Sequence, residues 1–408
     1  MVTSSRNTCR RITFCGICCV LVASFGTGAA ADSEKLLHIF RGGSDGSGPG
    51  ALIRGNDGAL YGTTATGGGG TGCNDDEFGC GTVFKLTRHG KEKVLYAFSG
   101  GSDGAYPGSN LVMDGSGNLY GATEEGGLGV GTVFKLAPHG TETVLHAFKS
   151  APDGSVPIGN LVADGSGNLY GTTYSGGNTG GSECGDGGCG TVFKIAADGS
   201  EAILHAFQGG DDGWQPYGGV ILDSQGNLYG TTSGGGGSGC DGFGCGTVFE
   251  VAPDGTETVL YAFQGGNDGD KPGGSLMMDG SGNLYGAAGG GASNRGTVFK
   301  LAPDGTETVL YTFTYGSDGY DPNGGLVADS AGNLYGTTSD GGGAGKGGGH
   351  GVAFELAPDG TETVLYSFKG DHGRFPAAGL LLGKHGDLYG TTAAGGDDND
   401  GMVFELKQ

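Results

Sequence analysis

Gly325-Leu-Val-Ala-Asp-Ser-Ala-Gly-Asn-Leu-Tyr-Gly-Thr-Thr338, a glycine-rich loop, and then Gly351-Val-Ala-Phe-Glu-Leu-Ala-Pro-Asp-Gly-Thr-Glu-Thr-Val-Leu-Tyr-Ser-Phe368 form the stretch that decides the fold. The same pattern runs the length of the chain. Leu-Tyr-Gly occurs seven times, with tyrosines at Tyr61, Tyr120, Tyr170, Tyr229, Tyr285, Tyr335 and Tyr389, spaced 50 to 59 residues apart. A fixed period of this size marks stacked supersecondary units, none of which buries its apolar face alone.

Inside a unit the apolar residues come in short runs bounded by Gly, Pro, Asn or Asp, the punctuation of strands. In the second unit the runs are Leu111 to Met113, Leu119 to Thr123, Thr132 to Leu136 and Val144 to Phe148. Four strands per repeat and almost no helix are predicted. Asp114-Gly-Ser-Gly-Asn118 and Pro138-His-Gly-Thr141 are short enough to close antiparallel hairpins, with glycine supplying positive φ. Four antiparallel strands repeated seven times predict an all-β chain, a seven-bladed β-propeller. An open β-solenoid is the rival, but its coils are usually far shorter. The chain ends support a ring: Lys35 to Phe40 reads as a fourth strand without its first three, and Gly401 to Lys407 as a third strand without its fourth. Pairing them completes the seventh blade and removes free sheet edges.

Glycine and proline make up 110 of 408 residues, a level that would suggest disorder without a period. One glycine recurs inside a strand, after each Leu-Tyr, and suggests close approach of another backbone. Residues 1–31 read as a secretory signal, with Arg6, Arg10 and Arg11, an apolar run from Ile12 to Phe25 and a small-residue site at Ala29 to Ala31. One single-domain propeller over 32–408 is then expected, exported from a bacterium and soluble, monomeric and without a membrane span. Four cysteines lie in the leader. The other six fall in close pairs inside second-to-third-strand loops, Cys73 with Cys80, Cys184 with Cys189 and Cys240 with Cys245, which predicts three local disulfides. The formal charge of -23 becomes -26 once the three leader arginines are removed, which disfavours nucleic acid as a partner.

Strand alternation puts the long loops of every blade on one face. The blade-to-blade loops share Asp-Gly-x-x-Pro, beginning at Asp45, Asp103, Asp153, Asp212, Asp268 and Asp318, with Asp371 opening a divergent seventh. The two x positions vary on a fixed frame, and with the residues beside the proline they put Tyr106, Trp214, Tyr217, Tyr320 and Phe375 on the loop face near those aspartates. Aromatic faces with carboxylates are the chemistry of a saccharide site. The plainer reading is that the rings fill gaps between blades and the aspartates form turns. Calcium is weighed because Asp-Gly-Ser-Gly-Asn alternates oxygens and Asp397 to Asp400 is acidic, but the distal glutamate of an EF-hand is absent. His38, His146 and His205 share a fourth-strand slot with Tyr96, Tyr261, Tyr311 and Tyr366, which reads as packing rather than a catalytic constellation.

The unit Gly-Asn-Leu-Tyr-Gly-Thr-Thr, glycine loop, Gly-Thr-Val-Phe-Lys-Leu-Ala-Pro-Asp-Gly-Thr-Glu-Thr-Val-Leu-Tyr-Ala-Phe resembles the GloVer repeat of exported gloeobacterial and verrucomicrobial proteins, over essentially all of 32–408. That resemblance implies an exported bacterial repeat protein and carries over no catalytic residue. Gly-Leu-Val-x-Asp-x-x-Gly-Asn-Leu-Tyr is more loosely similar to NHL-type and streptogramin-lyase-type propellers. The expectation is a non-catalytic propeller that binds a glycan or protein through its loop face. The alternatives are a lyase or lactonase with a metal at the channel mouth, and a structural envelope component.

Overall fold

The computed structural model describes residues 34–73, 79–179, 184–314, 316–343, 349–376 and 378–408. The leader expected at 1–31 lies outside them. Seven sheets form a β-propeller. In the second blade the strands are Val112–Met113, Leu119–Thr123, Thr132–Leu136 and Glu142–Ala147, antiparallel and paired in sequence order. The first blade adds a fifth short strand, Ser47–Pro49, on Leu60–Thr66. The fourth strand begins at Glu142 rather than Val144, because Glu142 and Thr143 continue the ladder against Leu136 and Lys135. Three short helical turns, Gly185–Gly187, Gly210–Asp212 and Gly239–Gly242, are the helix among the described residues. No helix there is long and apolar enough to cross a membrane.

The seventh blade closes as the sequence predicts. Glu34–Ile39 pairs antiparallel with Met402–Leu406, from Glu34 opposite Leu406 to Ile39 opposite Met402. Lys35 meets Glu405 across that seam at 2.9 Å.

Seven junctions between blades repeat one design. The phenylalanine that follows each fourth strand meets the third-strand phenylalanine of the next blade edge to face: Phe40 with Phe84, Phe98 with Phe134, and so on to Phe368 with Phe404, at ring separations of 5.1 to 5.2 Å. All of these rings are buried. The glycine of Leu-Tyr-Gly is explained by the same rings. A Cβ at Gly62, Gly121 or Gly171 would lie within 2.8 Å of the phenyl tip of its own third strand, so the close neighbour is an aromatic side chain and not the backbone the sequence suggests. The loop proline packs its Cδ on the glycine that opens the preceding blade's third strand, as Pro107 does on Gly81 and Pro157 on Gly131. Invariance of that proline within the repeat is therefore a packing requirement.

Every fourth strand carries a β-bulge. The register slips between Val83 and Phe84 opposite Tyr96 and Val94, and likewise in the other six, leaving Leu95 or its counterpart as the extra residue. A bulge bends its strand and re-aims the side chains beside it. Here the residue re-aimed is the tyrosine or histidine that follows.

Candidate functional site

The Asp-Gly-x-x-Pro loop runs from the outermost strand of one blade to the axis, and its residues divide by radius. At the outer end, each aspartate accepts the backbone N–H four residues before it: Ser99 to Asp103 at 2.9 Å, Lys149 to Asp153 at 2.9 Å, Gln208 to Asp212 at 2.6 Å, Gln264 to Asp268 at 2.8 Å, Thr314 to Asp318 at 2.6 Å and, longer, Arg41 to Asp45 at 3.4 Å. The bulge-directed side chain of the outer strand adds a second bond. The Tyr96, Tyr261 and Tyr311 hydroxyls donate to Asp103, Asp268 and Asp318 at 2.8, 2.9 and 3.2 Å. His146 and His205 face Asp153 and Asp212 at 3.2 and 3.0 Å, and His38 stands 3.7 Å from Asp45. Asp371 is the exception, since Tyr366 donates to Glu34 at 2.6 Å instead.

A glutamate from the start of the next blade's fourth strand completes each junction. Burial and the neighbouring aspartate push Glu92, Glu142, Glu201, Glu257, Glu307 and Glu362 up to about 7. In each of these glutamates, and in Glu34, one carboxyl oxygen is buried without a hydrogen-bond partner. The sequence reading missed this triad. Its signal was the seven-residue step from tyrosine or histidine to aspartate, kept in six of the seven repeats and shortened to five residues from Tyr366 to Asp371.

In mid-loop the second x residue takes a left-handed backbone in every blade, with φ of 64° at Gly48, 56° at Tyr106, 58° at Val156, 56° at Gln215, 48° at Lys271, 62° at Asp321 and 57° at Phe375. Its N–H reaches back to the preceding blade, where in three cases the acceptor is the carbonyl of a disulfide cysteine: Tyr106 to Cys80, Gln215 to Cys189 and Lys271 to Cys245. The predicted pairs, Cys73 with Cys80, Cys184 with Cys189 and Cys240 with Cys245, are all disulfides. They anchor the residues that receive the next blade. Val156 is β-branched in a conformation that favours glycine, so Val156→Gly is expected to stabilise the fold by up to about 1 kcal/mol, read as a higher urea midpoint. A lower midpoint would show that the valine side chain outweighs the strain.

The aromatic candidates are dispersed. Trp214 lies over Gly234 and donates Nε1–H to the Phe243 carbonyl at 3.3 Å. Tyr106 packs on the core, Arg295 sits 5.0 Å above the Tyr320 ring, and Phe375 is 40% exposed beside Arg374. Tyr217 alone of the five lines the depression at the axis.

That depression, about 220 Å³, opens on the loop face and is walled by segments of all seven blades, mostly glycine, alanine and backbone. Asn160 and Ser275, from the third and fifth blades, hydrogen-bond across it at 2.6 Å, and Ser275 donates on to the Gly218 carbonyl. Besides Ile158, Asn160 and Asn323, the larger groups in the wall are Tyr217 and Glu124, and Tyr174 stands behind Tyr217. Tyr217 is half-exposed, Tyr174 meets it edge to face with centroids 6.3 Å apart, and the Glu124 carboxyl lies against Gly108. Burial, then Glu125, raises the Glu124 carboxyl above the usual range; desolvation, Glu124 and Tyr174 raise the Tyr217 hydroxyl. Glu124 and Tyr174 occupy the position after the second-strand threonine, where other blades carry Ala65, Ser233, Gly289, Ser339 and Ala393. That departure was the available signal.

The hairpin aspartates have no free valence for calcium. Asp114 accepts from the Ser116 and Asn118 N–H groups, the Asn118 amide and the Tyr120 hydroxyl at 2.7 to 3.1 Å, and Asp164 repeats the set.

Among solved structures, virginiamycin B lyase from Staphylococcus aureus is similar at 13% identity and a TM-score of 0.58, over 89% of this chain and 95% of that one. A catalytically inactive form of that lyase with quinupristin gives 14% and 0.58, over 92% and 99%. A puromycin hydrolase mutant complexed with PGG gives 13% and 0.53, over 86% of this chain and 51% of the hydrolase. Identities this low carry the propeller fold and nothing finer. No curated protein matches the sequence. The Gloeobacter/Verrucomicrobia repeat matches residues 25–183 and 179–349, most of the chain, and the protein belongs to that repeat family.

Proposed function

We propose that the protein is an exported, non-catalytic binding propeller that takes a saccharide at the axial mouth of its loop face. The observation that carries this reading is the pair Tyr217 and Glu124 in the lining, with Tyr174 edge to face on Tyr217 behind it, in a wall otherwise built mostly of glycine and alanine. An exposed aromatic face stacks on the C–H surface of a sugar ring, and a carboxylate accepts its hydroxyls. A depression of about 220 Å³ suits one terminal sugar unit rather than a long chain.

The absence of catalysis belongs to the proposal. Glycoside hydrolysis uses two carboxyl groups about 5 to 10 Å apart. Among the described residues lining the mouth, Glu124 is the one carboxylate and no histidine accompanies it. The lyase-type alternative rests on fold likeness, and this lining offers no acid–base pair for it. Three disulfides suit an oxidising, extracytoplasmic location.

The test is thermal unfolding against a panel of monosaccharides and short oligosaccharides. A ligand at about ten times its dissociation constant should stabilise by roughly 1.4 kcal/mol. Tyr217→Ala is expected to abolish the shift, and Glu124→Gln to weaken it about tenfold. A sugar that still binds Tyr217→Ala and Tyr174→Ala fully would move the site elsewhere, and a panel with no shift at all would end the saccharide reading.

A further inference from the structure

We infer that two of the outer junctions are sites for a divalent transition metal ion, such as zinc, that clamps neighbouring blades. One is formed by His146, Asp153 and Glu201, the other by His205, Asp212 and Glu257. In each set the imidazole, aspartate and glutamate offer one donor atom apiece, all within 4.8 Å of one another. His146 Nε2 is 3.2 Å from both Asp153 oxygens, and His205 Nε2 is 3.0 Å from Asp212. An ion with bonds of about 2.0 to 2.2 Å to nitrogen and oxygen needs its ligand atoms little more than 3 Å apart, so the set must draw in from a spread of up to 4.8 Å, with the histidine–aspartate side already at that separation. One imidazole with two carboxylates suits zinc and its neighbours better than calcium, which takes six to eight oxygens. The partly solvated positions leave room for water as a fourth ligand.

The ligands come from two blades. Histidine and aspartate belong to the end of one blade and the loop leaving it, while the glutamate opens the fourth strand of the next. The first site ties the second blade to the third, and the second ties the third to the fourth. One oxygen in each of Glu201 and Glu257 is buried with no donor and so open to a cation, a feature shared by all seven junctions; what these two add is an imidazole within reach of both carboxylates.

The repeats supply a control. Where tyrosine takes the histidine's place, its O–H donates a hydrogen bond to the aspartate, as Tyr261 does to Asp268 at 2.9 Å, and burial holds that phenol protonated. Such a junction satisfies its aspartate without an ion and offers no imidazole to one, although its glutamate, as Glu307 beside Asp268, also keeps one oxygen unpartnered. His38 is excluded because His38, Asp45 and Glu92 do not bring one donor atom each within that same 4.8 Å.

The experiment is calorimetric titration of zinc into protein stripped with chelator. Two equivalents are expected for the natural chain, one each for His146→Tyr and His205→Tyr, and none for the double variant. Four junctions already carry tyrosine, so the double variant should fold and melt with the natural chain in chelator. Added zinc should raise the midpoint of the natural chain alone. No binding by the natural chain, or equal binding by the double variant, would overturn the inference, the latter marking adventitious binding to the acidic surface.

Discussion

Raising the pH from 4.5 to 7.5 in chelator is expected to lower the melting temperature, with a plateau above neutrality. The groups responsible are Glu92, Glu142, Glu307 and Glu362, which burial first and then Asp45, Asp103, Asp268 and Asp318 push up to about 7. Because the folded chain holds these protons more tightly than the unfolded chain, the stabilisation is full below about pH 4.5 and is lost as pH rises to about 7. The carboxyls are about half solvated, so screening reduces each contribution to on the order of 1 kcal/mol. Four together amount to about 5 °C in a chain of this size. On the acid side the sign reverses. Asp103 is held below the usual range against the pull of its own desolvation, by bonds from Ser99 and Tyr96, and Asp114 by bonds from Asn118, Tyr120 and Ser116. Their contribution is lost as pH falls through those lowered values, which leaves greatest stability in mildly acidic solution. Replacing Glu142, Glu307 and Glu362 with glutamine should flatten the upper limb. A midpoint that is level or rising between pH 4.5 and 7.5 would remove these glutamates from the account.

Phe98→Ala is expected to cost about 3 to 5 kcal/mol, because the ring is fully buried and joins the first blade to the second through Phe134. The surroundings have little left to refill the space with, since Gly121 already lacks the Cβ that would collide with the Phe134 ring. Phe98→Leu should recover roughly half of the loss while forfeiting the edge-to-face contact, worth about 1 kcal/mol. Denaturant midpoints of the two variants decide the matter. A cost under about 1 kcal/mol for the alanine change would mean that the junctions are not held by their aromatic pairs.

The architecture was legible because the repeat fixes strand number, connection length and the incomplete units at both ends at once. Cysteine pairing was legible because the partners are close in sequence. The outer triads were not, since the bulge that turns Tyr96 or His146 toward its aspartate depends on a pairing register that the Val-Leu-Tyr and Val-Leu-His strings do not display. The third member also comes from the following repeat, at no motif spacing. At the mouth, Tyr217 was named from the loop pattern, whereas Glu124 and Tyr174 converge with it only when different blades meet at the axis. The repeated aspartates look like ligands in the sequence because one carboxylate recurs seven times; in the fold their recurrence serves the joints.

The seam in the seventh blade differs from the others in how its partners find each other. Six third strands reach a fourth strand through a short turn, so those pairings are local events. Glu34–Ile39 and Met402–Leu406 must meet across nearly the whole chain, and their strand neighbours in other blades are close copies of one another. Closing so long a loop costs the most chain entropy and comes late, which makes this seam the expected slow step of folding and the place where a wrong strand could be accepted. The cross-strand pair supplies part of the discrimination: Lys35 faces Glu405, where the equivalent places hold Thr143 with Lys135, Thr308 with Lys300, Ala202 with Lys194, Lys93 with Lys85, Thr258 with Glu250 and Thr363 with Glu355. A stray fourth strand at Met402–Leu406 forfeits that attraction unless it is the one that carries Lys93, and Glu34–Ile39 laid against Lys85, Lys135, Lys194 or Lys300 sets like charges side by side, whereas Glu250 and Glu355 would accept it. One ion pair thereby biases the two ends of a repetitive chain toward each other and away from the four third strands that carry lysine there.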